Sequence, residues 1–140
     1  MSIDKFRGEY NFLSNFYPCR IEYDGRVYSS VEAAYQACKT DDPIVKDQFV
    51  QYDARQAKQA GKELKPNATW NDIKYGIMVS LLLIKFNDPT LKAKLLYTRD
   101  EELIEGNNWH DVWWGVCEGN GKNMLGKALM YVRAYYRDFE

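Results

Sequence analysis

The sequence predicts a mainly α, compact single-domain helical fold over residues 1–140, with one small β-hairpin near the N-terminus. Three observations lead there. A chain of 140 residues is long enough to bury one proper core and short for two. Helix start and stop signals recur from Ser29 onward. The dipeptide Asp24-Gly25 lies between alternating residues in RIEYDGRVYSS, a hairpin signal, because a type I′ turn needs positive φ at both central positions.

The elements follow in order. The hairpin is expected at about residues 19 to 28. In SSVEAAYQACK, Ser29 precedes Glu32 by three residues, the spacing of a capping box, so a helix should run from Ser30 to Lys39. Pro43 after Asp42 suits the first turn of another helix, and a further one fits Ala54 to a stop at Gly61. From Thr69 or Asn71 to Phe86, the set Ile73, Ile77, Leu81 and Ile84 keeps helical spacing, which predicts the central, most buried helix. Pro89 to Leu96 reads as a short helix. The last runs from Asn123 to Tyr136, with Met124, Leu125, Leu129 and Val132 facing inward. Before it, LIEGNNWHDVWWGVCEGNGKN is rich in Gly, Asn and Trp and poor in periodicity, so it is either irregular packing or a site.

Composition narrows the function classes. The aromatic fraction of 15% is high and points to a packed core, a pocket for a flat ligand, or both. A net charge of −1 gives no sequence-wide drive toward phosphate backbones, so strong non-specific nucleic-acid binding is not expected, although a local basic patch could hold one or two phosphates. Cys19, Cys38 and Cys117 are scattered without CxxC spacing, and MSIDKFRGEY has no hydrophobic signal region. These features predict a reducing, cytoplasmic setting and no metal. The longest apolar run, IMVSLLLI, is far too short to span a bilayer.

Four stretches could carry chemistry. In YNFLSNFY, rings surround Asn11, Ser14 and Asn15; packed aromatics can orient a polar side chain for a ligand, or the asparagines can cap turns in an irregular core. Glu32, Gln36 and Lys39 share one helix face, with small Ala33, Ala34 and Ala37 beside them. A carboxylate and an amine there could act as acid/base and nucleophile, or serve as a capping group and a solvated lysine near the helix C-terminus. Asp111 stands two residues before Trp113-Trp114-Gly115. Indoles can stack on a base, and a carboxylate among them would be desolvated and hold its proton more tightly; the alternative is a turn cap beside two core tryptophans. GNGKNMLGK puts glycines and Lys122 at a helix start, which suits either a phosphate contact or a plain turn. His110 is the lone histidine, and nothing in the sequence sets it near a Cys or Ser.

Taken in order, FLSNFYP, SVEAAYQACK, the LIE...W.D.WWG segment and GKNMLGKALMYVR resemble the NADAR, or YbiA-like, family across nearly the whole chain from Phe6 to Arg133. The resemblance implies a mainly helical fold and hydrolysis of an N-glycosidic bond between ribose and a base-like group. Two substrate classes come with it: ADP-ribose attached to guanine in nucleic acid or nucleotides, and ribosylamino-pyrimidine intermediates of riboflavin synthesis. A third reading is a non-catalytic ADP-ribose-binding module. Glu32 and Lys39 fall on the family's S-x-E and Q-A-x-K blocks, and Asp111, Trp114 and Asn15 on motif positions. The implied catalytic set is Glu32, Lys39 and Asp111. The implied substrate contacts are Phe12, Asn15, Phe16, Gln36, Trp113, Trp114, Lys122 and Asn123, with no metal and no cofactor. Lys39 is then expected to form a Schiff base with the opened sugar while Glu32 shuttles protons. After WG this chain has Val116-Cys117-Glu118, where some relatives carry an acidic or glycine-rich continuation, so substrate choice is expected to depend on that loop.

Overall fold

The helices that start at Val31, Pro43, Ala54 and Pro89 begin where a side chain replaces the backbone partners that the first amides lack. The computed structural model describes residues 1–139. They fall into two units, Met1–Ser14 with the chain from Phe86 onward, and Asn15–Lys85.

Strand β1 (Ser2–Ile3) and a 3-10 helix (Gly8–Leu13) open the chain. In the Asn15–Lys85 unit, β2 (Ile21–Tyr23) and β3 (Arg26–Tyr28) form the predicted hairpin, with φ of 54° at Asp24 and 74° at Gly25. Four helices follow: α1 (Val31–Ala37), α2 (Pro43–Phe49), α3 (Ala54–Gly61) and α4 (Trp70–Lys85). Asp42 Oδ1 accepts from Ile44 N at 2.9 Å ahead of α2. Asp53 and Gln56 close a reciprocal capping box on α3, at 2.8 and 3.0 Å.

In the other unit, α5 (Pro89–Tyr97) starts at Asp88, whose Oδ2 accepts from Leu91 N at 3.0 Å. Strand β4 (Glu102–Leu103) pairs in parallel with β1, and β5 (Gly106–Asn107) pairs in parallel with β6 (Val116–Cys117). The last helix, α6 (Met124–Phe139), buries Leu125, Ala128, Leu129, Val132 and Tyr136. That stripe has the three-and-four spacing of an amphipathic helix. A fully buried leucine such as Leu129 contributes about 1.5–3 kcal/mol by leaving water. None of the helices among the described residues is long and apolar enough to cross a membrane.

Several expectations need correction. Ser30, not Ser29, caps α1, with its Oγ accepting from Ala33 N at 3.0 Å, while Ser29 Oγ donates to the Tyr52 carbonyl at 2.6 Å. The shift by one residue moves Glu32 out of the capping-box position. The helix also ends at Ala37, and Lys39 sits in the turn beyond, its amide donating to Gln36 O at 3.1 Å. Most buried is not α4 but α1, whose seven residues are all buried. In α4 Ile73 is exposed and the inward residues are Trp70, Met78, Leu81, Leu82 and Lys85. The buried face is rotated from the predicted stripe because one apolar residue after another fills this helix, and periodicity then fails to select a side. On α6, Met124 is only half-buried, and the helix runs three residues past Tyr136.

Candidate active site

The hairpin leads directly into α1, and the α1 start is tied to the YNFLSNFY stretch. Glu32 N donates to the Asn15 carbonyl at 3.1 Å, which brings Asn15 beside the helix that carries Glu32. The Asn15 side chain donates through Nδ2 to Met78 Sδ at 3.5 Å. Its Oδ1 is buried without a hydrogen-bond partner, an acceptor left over in a site where most are satisfied.

Glu32 is only 8% exposed and Gln36 only 7%. One turn apart, they meet: Gln36 Nε2 donates to Glu32 Oε2 at 2.7 Å, the short distance of a charge-assisted bond. A carboxylate accepts only, so the amide must turn its nitrogen toward Glu32 and its oxygen away. That oxygen, Gln36 Oε1, is buried with no hydrogen-bond partner. It lies against Gly61 on α3, where an added Cβ would overlap it.

Lys39 follows in the turn after α1. Burial holds its ammonium below the ordinary lysine pKa, the Glu32 carboxylate works in the opposite direction, and Lys74 adds to the lowering. Its Nζ lies 5.9 Å from the centre of the Tyr35 ring, which itself packs against Trp70 at 5.3 Å. Phe16 is 41% exposed, with Lys58 Nζ 5.7 Å from its ring centre. The same unit therefore gathers Asn15, Phe16, Glu32, Gln36 and Lys39 of the expected set.

The remaining expected residues, Phe12, Asp111, Trp113, Trp114, Lys122 and Asn123, belong to the other unit. Phe12 is buried in the 3-10 helix with Lys94 Nζ 5.8 Å from its ring centre. Asp111 Oδ1 accepts from Trp113 N at 3.2 Å and Trp114 N at 2.9 Å, a turn held by the side chain. Asn107 Oδ1 accepts from Trp109 N and Asp111 N, and its Nδ2 donates to Asp111 O at 2.9 Å. The two indoles stand edge to face, 4.5 Å between centres. Behind them, Met124 N and Leu125 N donate to the Trp113 and Trp114 carbonyls at 3.0 and 2.9 Å, and Asn123 N to the Gly115 carbonyl at 3.3 Å. The amides at the start of α6, where the sequence suited either a phosphate contact or a plain turn, are thus engaged by the tryptophan loop. Lys122 is exposed.

Asn123 is 8% exposed with a φ of 55°. Its Oδ1 accepts from Glu105 N and its Nδ2 donates to Leu103 O, both at 2.9 Å. Gly126 leaves room for this bridge, since a Cβ there would meet the Asn123 side chain and the Leu103 carbonyl. His110 Nδ1 lies 4.0 Å from Cys117 Sγ, a proximity created by the loop folding back. No three of His, Cys, Asp and Glu come together as a metal-holding group among the described residues.

Sequence reasoning missed Gly61, Lys58, Lys74 and the Tyr35–Trp70 pair. Gly61 was legible only as a helix stop. The others come close to the site through long-range packing, which no local spacing encodes.

The NADAR domain model matches residues 4–137. The chain is 37% identical over 128 residues to the riboflavin biosynthesis protein VVA0006 of Vibrio vulnificus, covering 89% of this chain and 35% of that protein; it therefore spans about a third of that relative. It is 32% identical over 132 residues to the N-glycosidase YbiA of Escherichia coli, covering 89% of this chain and 81% of that protein. With the N-glycosidase Npun_R5314 of Nostoc punctiforme it shares 33% identity over 138 residues, 92% of this chain and 87% of that one. The NMR structure of E. coli YbiA superposes with a TM-score of 0.86 at 27% identity, covering 99% of this chain and 84% of the other. With four sequence blocks in order, a matching mainly helical fold and a family match across almost its whole length, the chain belongs to the NADAR domain family of YbiA-like proteins.

Proposed function

We propose that this chain, acting as one domain in the cytoplasm, hydrolyses the N-glycosidic bond between a phosphorylated ribose and a base-like group, with ADP-ribosyl-guanine in nucleic acid or nucleotides as substrate. The coarser statement, an enzyme of the N-glycosidase class, comes with the family and the names of its relatives. The observation that carries the bond-cleaving chemistry is the buried Glu32 carboxylate, bonded by Gln36 at 2.7 Å, on the helix whose following turn holds an amine that burial inclines toward its neutral form; the guanine substrate rests on the family resemblance.

Cleaving an N-glycoside leaves positive charge at C1 of the ribose and a nitrogen leaving group that departs only when protonated. Glu32 first takes up a proton on Oε1, with Oε2 still accepting from Gln36, and gives that proton to the base nitrogen as the C1–N bond breaks. The neutral Lys39 Nζ forms a bond to C1 and passes one proton back to the Glu32 carboxylate; the ring C1–O bond then breaks, the ring oxygen takes the remaining N–H proton, and an imine is left. One water then hydrolyses the imine, releasing the sugar and restoring the amine, with Glu32 moving the proton. The unpartnered Asn15 Oδ1 is suited to a sugar hydroxyl, and exposed Phe16 to the face of a ring. In the tryptophan loop, Trp113 and Trp114 offer flat faces for a base, and Asp111 holds their backbone. Lys122 offers a cation for a phosphate.

A second reading has its own observation, the riboflavin biosynthesis name of the Vibrio relative. It would make ribosylamino-pyrimidine intermediates the substrate. Base release from ADP-ribosyl-guanine, measured alone and in competition with a ribosylamino-pyrimidine, separates the two. Faster turnover of the guanine compound supports the proposal, and preference for the pyrimidine overturns it in favour of the second. If ADP-ribose binds and neither base is released, the chain is a binding module.

A further inference from the structure

We propose that Gly61 is a positioning residue for Glu32, acting through the Gln36 side chain; the inference rests on the reading of Glu32 as the proton-transfer group. Gly61 is the last residue of α3, in a backbone conformation open to any L-residue, for its φ lies outside the left-handed region. Turn geometry therefore does not require glycine here. Room does. A Cβ at 61 would overlap the oxygen of the Gln36 amide.

The place of that oxygen follows from the bond to Glu32. Gln36 Nε2 is fixed on Glu32 Oε2 at 2.7 Å, and the planar amide then throws Oε1 to the opposite side, against the α3 backbone. There Oε1 finds no hydrogen-bond donor, and the bare Gly61 Cα provides the space for it. The price of one unsatisfied buried acceptor is tolerated, and in return the amide is held with its donor facing the carboxylate. Gly61, Gln36 and Glu32 thus form a line from one helix to the reacting group, and Gly61 acts on that group only through the Gln36 amide.

Alanine at 61 favours the helix and removes nothing from the core, so its effect should fall on the amide. Gly61→Ala is expected to lower kcat for base release about tenfold or more, with KM changed less than about threefold, by swinging the amide off Glu32. Gln36→Ala should lower kcat similarly, and Gly61→Ala/Gln36→Ala should match Gln36→Ala alone, since the overlap has gone. A purely structural glycine would instead lower melting temperature in both backgrounds without this pattern. If Gly61→Ala fails to fold while the double variant folds, the overlap is real and the kcat of Gln36→Ala alone decides the role. Wild-type kcat in Gly61→Ala, or a full additional loss in the double variant, overturns the proposal. Its failure is distinct from failure of the functional reading: an inactive Glu32→Gln with a normal Gly61→Ala removes only the positioning role, whereas an active Glu32→Gln removes both.

Discussion

The surroundings of α1 and the tryptophan loop are both rich in asparagine, glutamine and acid, yet they use these groups in opposite ways. In the loop, side chains do the work of secondary structure. Asn107, Asp111 and Asn123 each bond two or more backbone groups, and between them they replace the ladders that strands of two residues cannot supply. Around α1, polar groups are carried into the interior and left partly unused: Asn15 Oδ1 and Gln36 Oε1 lack partners, and the Glu32 carboxylate is nearly out of water. Lys85, at the end of α4 in the same unit, is 2% exposed, and burial lowers its pKa to about 8. An acceptor buried without a partner, and a charge taken out of water, each carry a desolvation cost. Buried acceptors left without partners make the surroundings of α1 the candidate site, since such groups cluster where a ligand or a reaction uses them.

The comparison predicts opposite signs for substitutions in the two regions. The largest effect is expected in the loop. Asn123→Ala leaves the Glu105 N–H and Leu103 carbonyl without their partners, and at about 1–3 kcal/mol for each buried orphan the loss is about 4 kcal/mol. Urea unfolding measures it; a loss below 1 kcal/mol would mean the bridge is dispensable.

Next comes Lys85→Met, which should stabilise. Lowering a lysine from 10.5 to about 8 corresponds to about 3 kcal/mol at about 1.4 kcal/mol per unit. The sign follows from the folded state binding its proton more weakly than the unfolded chain does. The cost is fully present below pH 8 and disappears as pH rises through 10.5. Lys85→Met should therefore exceed wild type most at pH 7, with the gap closing by about pH 10.5. Cys38 and Tyr28, whose burial pushes their pKa values up to about 11 and about 12, titrate at high pH in both proteins and cancel in the difference. A variant less stable than wild type at pH 7 would place Lys85 among the supporting groups.

The smallest stability effect is expected at Asn15. Asn15→Leu removes an unpartnered acceptor and should leave stability within about 1 kcal/mol of wild type, while KM for an ADP-ribosyl substrate rises. An unchanged KM would show that the orphan oxygen does not meet the sugar. In the loop, Trp114→Ala should weaken ligand binding more than Trp114→Phe, since the phenyl ring keeps part of the stacking face. Equal unfolding of both would make Trp114 a packing residue only.

Much of the fold was legible in the chain. Asp24-Gly25 and Asp42-Pro43 encode their turn and helix start within two residues, and the structure follows them, as it does the helix start expected at Pro89. The β1–β4 and β5–β6 pairings were not legible, because two-residue strands carry no period and β1 pairs with residues about a hundred positions away. Of the candidate site, the Glu32–Gln36 spacing was readable as a shared helix face. That both would be buried was not, since two polar residues on a short helix ordinarily mark its wet side. The role of Asn107 was hidden for a related reason: an asparagine that organises a loop looks, in sequence, like any other loop residue.

Chemistry by the buried Glu32 carboxylate is tested by the rate of base release from ADP-ribosyl-guanine by Glu32→Gln, taken alongside its melting temperature. Gln is nearly isosteric with Glu, so the variant should melt close to wild type while kcat falls by about a hundredfold to ten-thousandfold, the range of a lost general acid/base. A folded Glu32→Gln enzyme with wild-type kcat would contradict the claim and leave Glu32 as a buried acid held for packing alone.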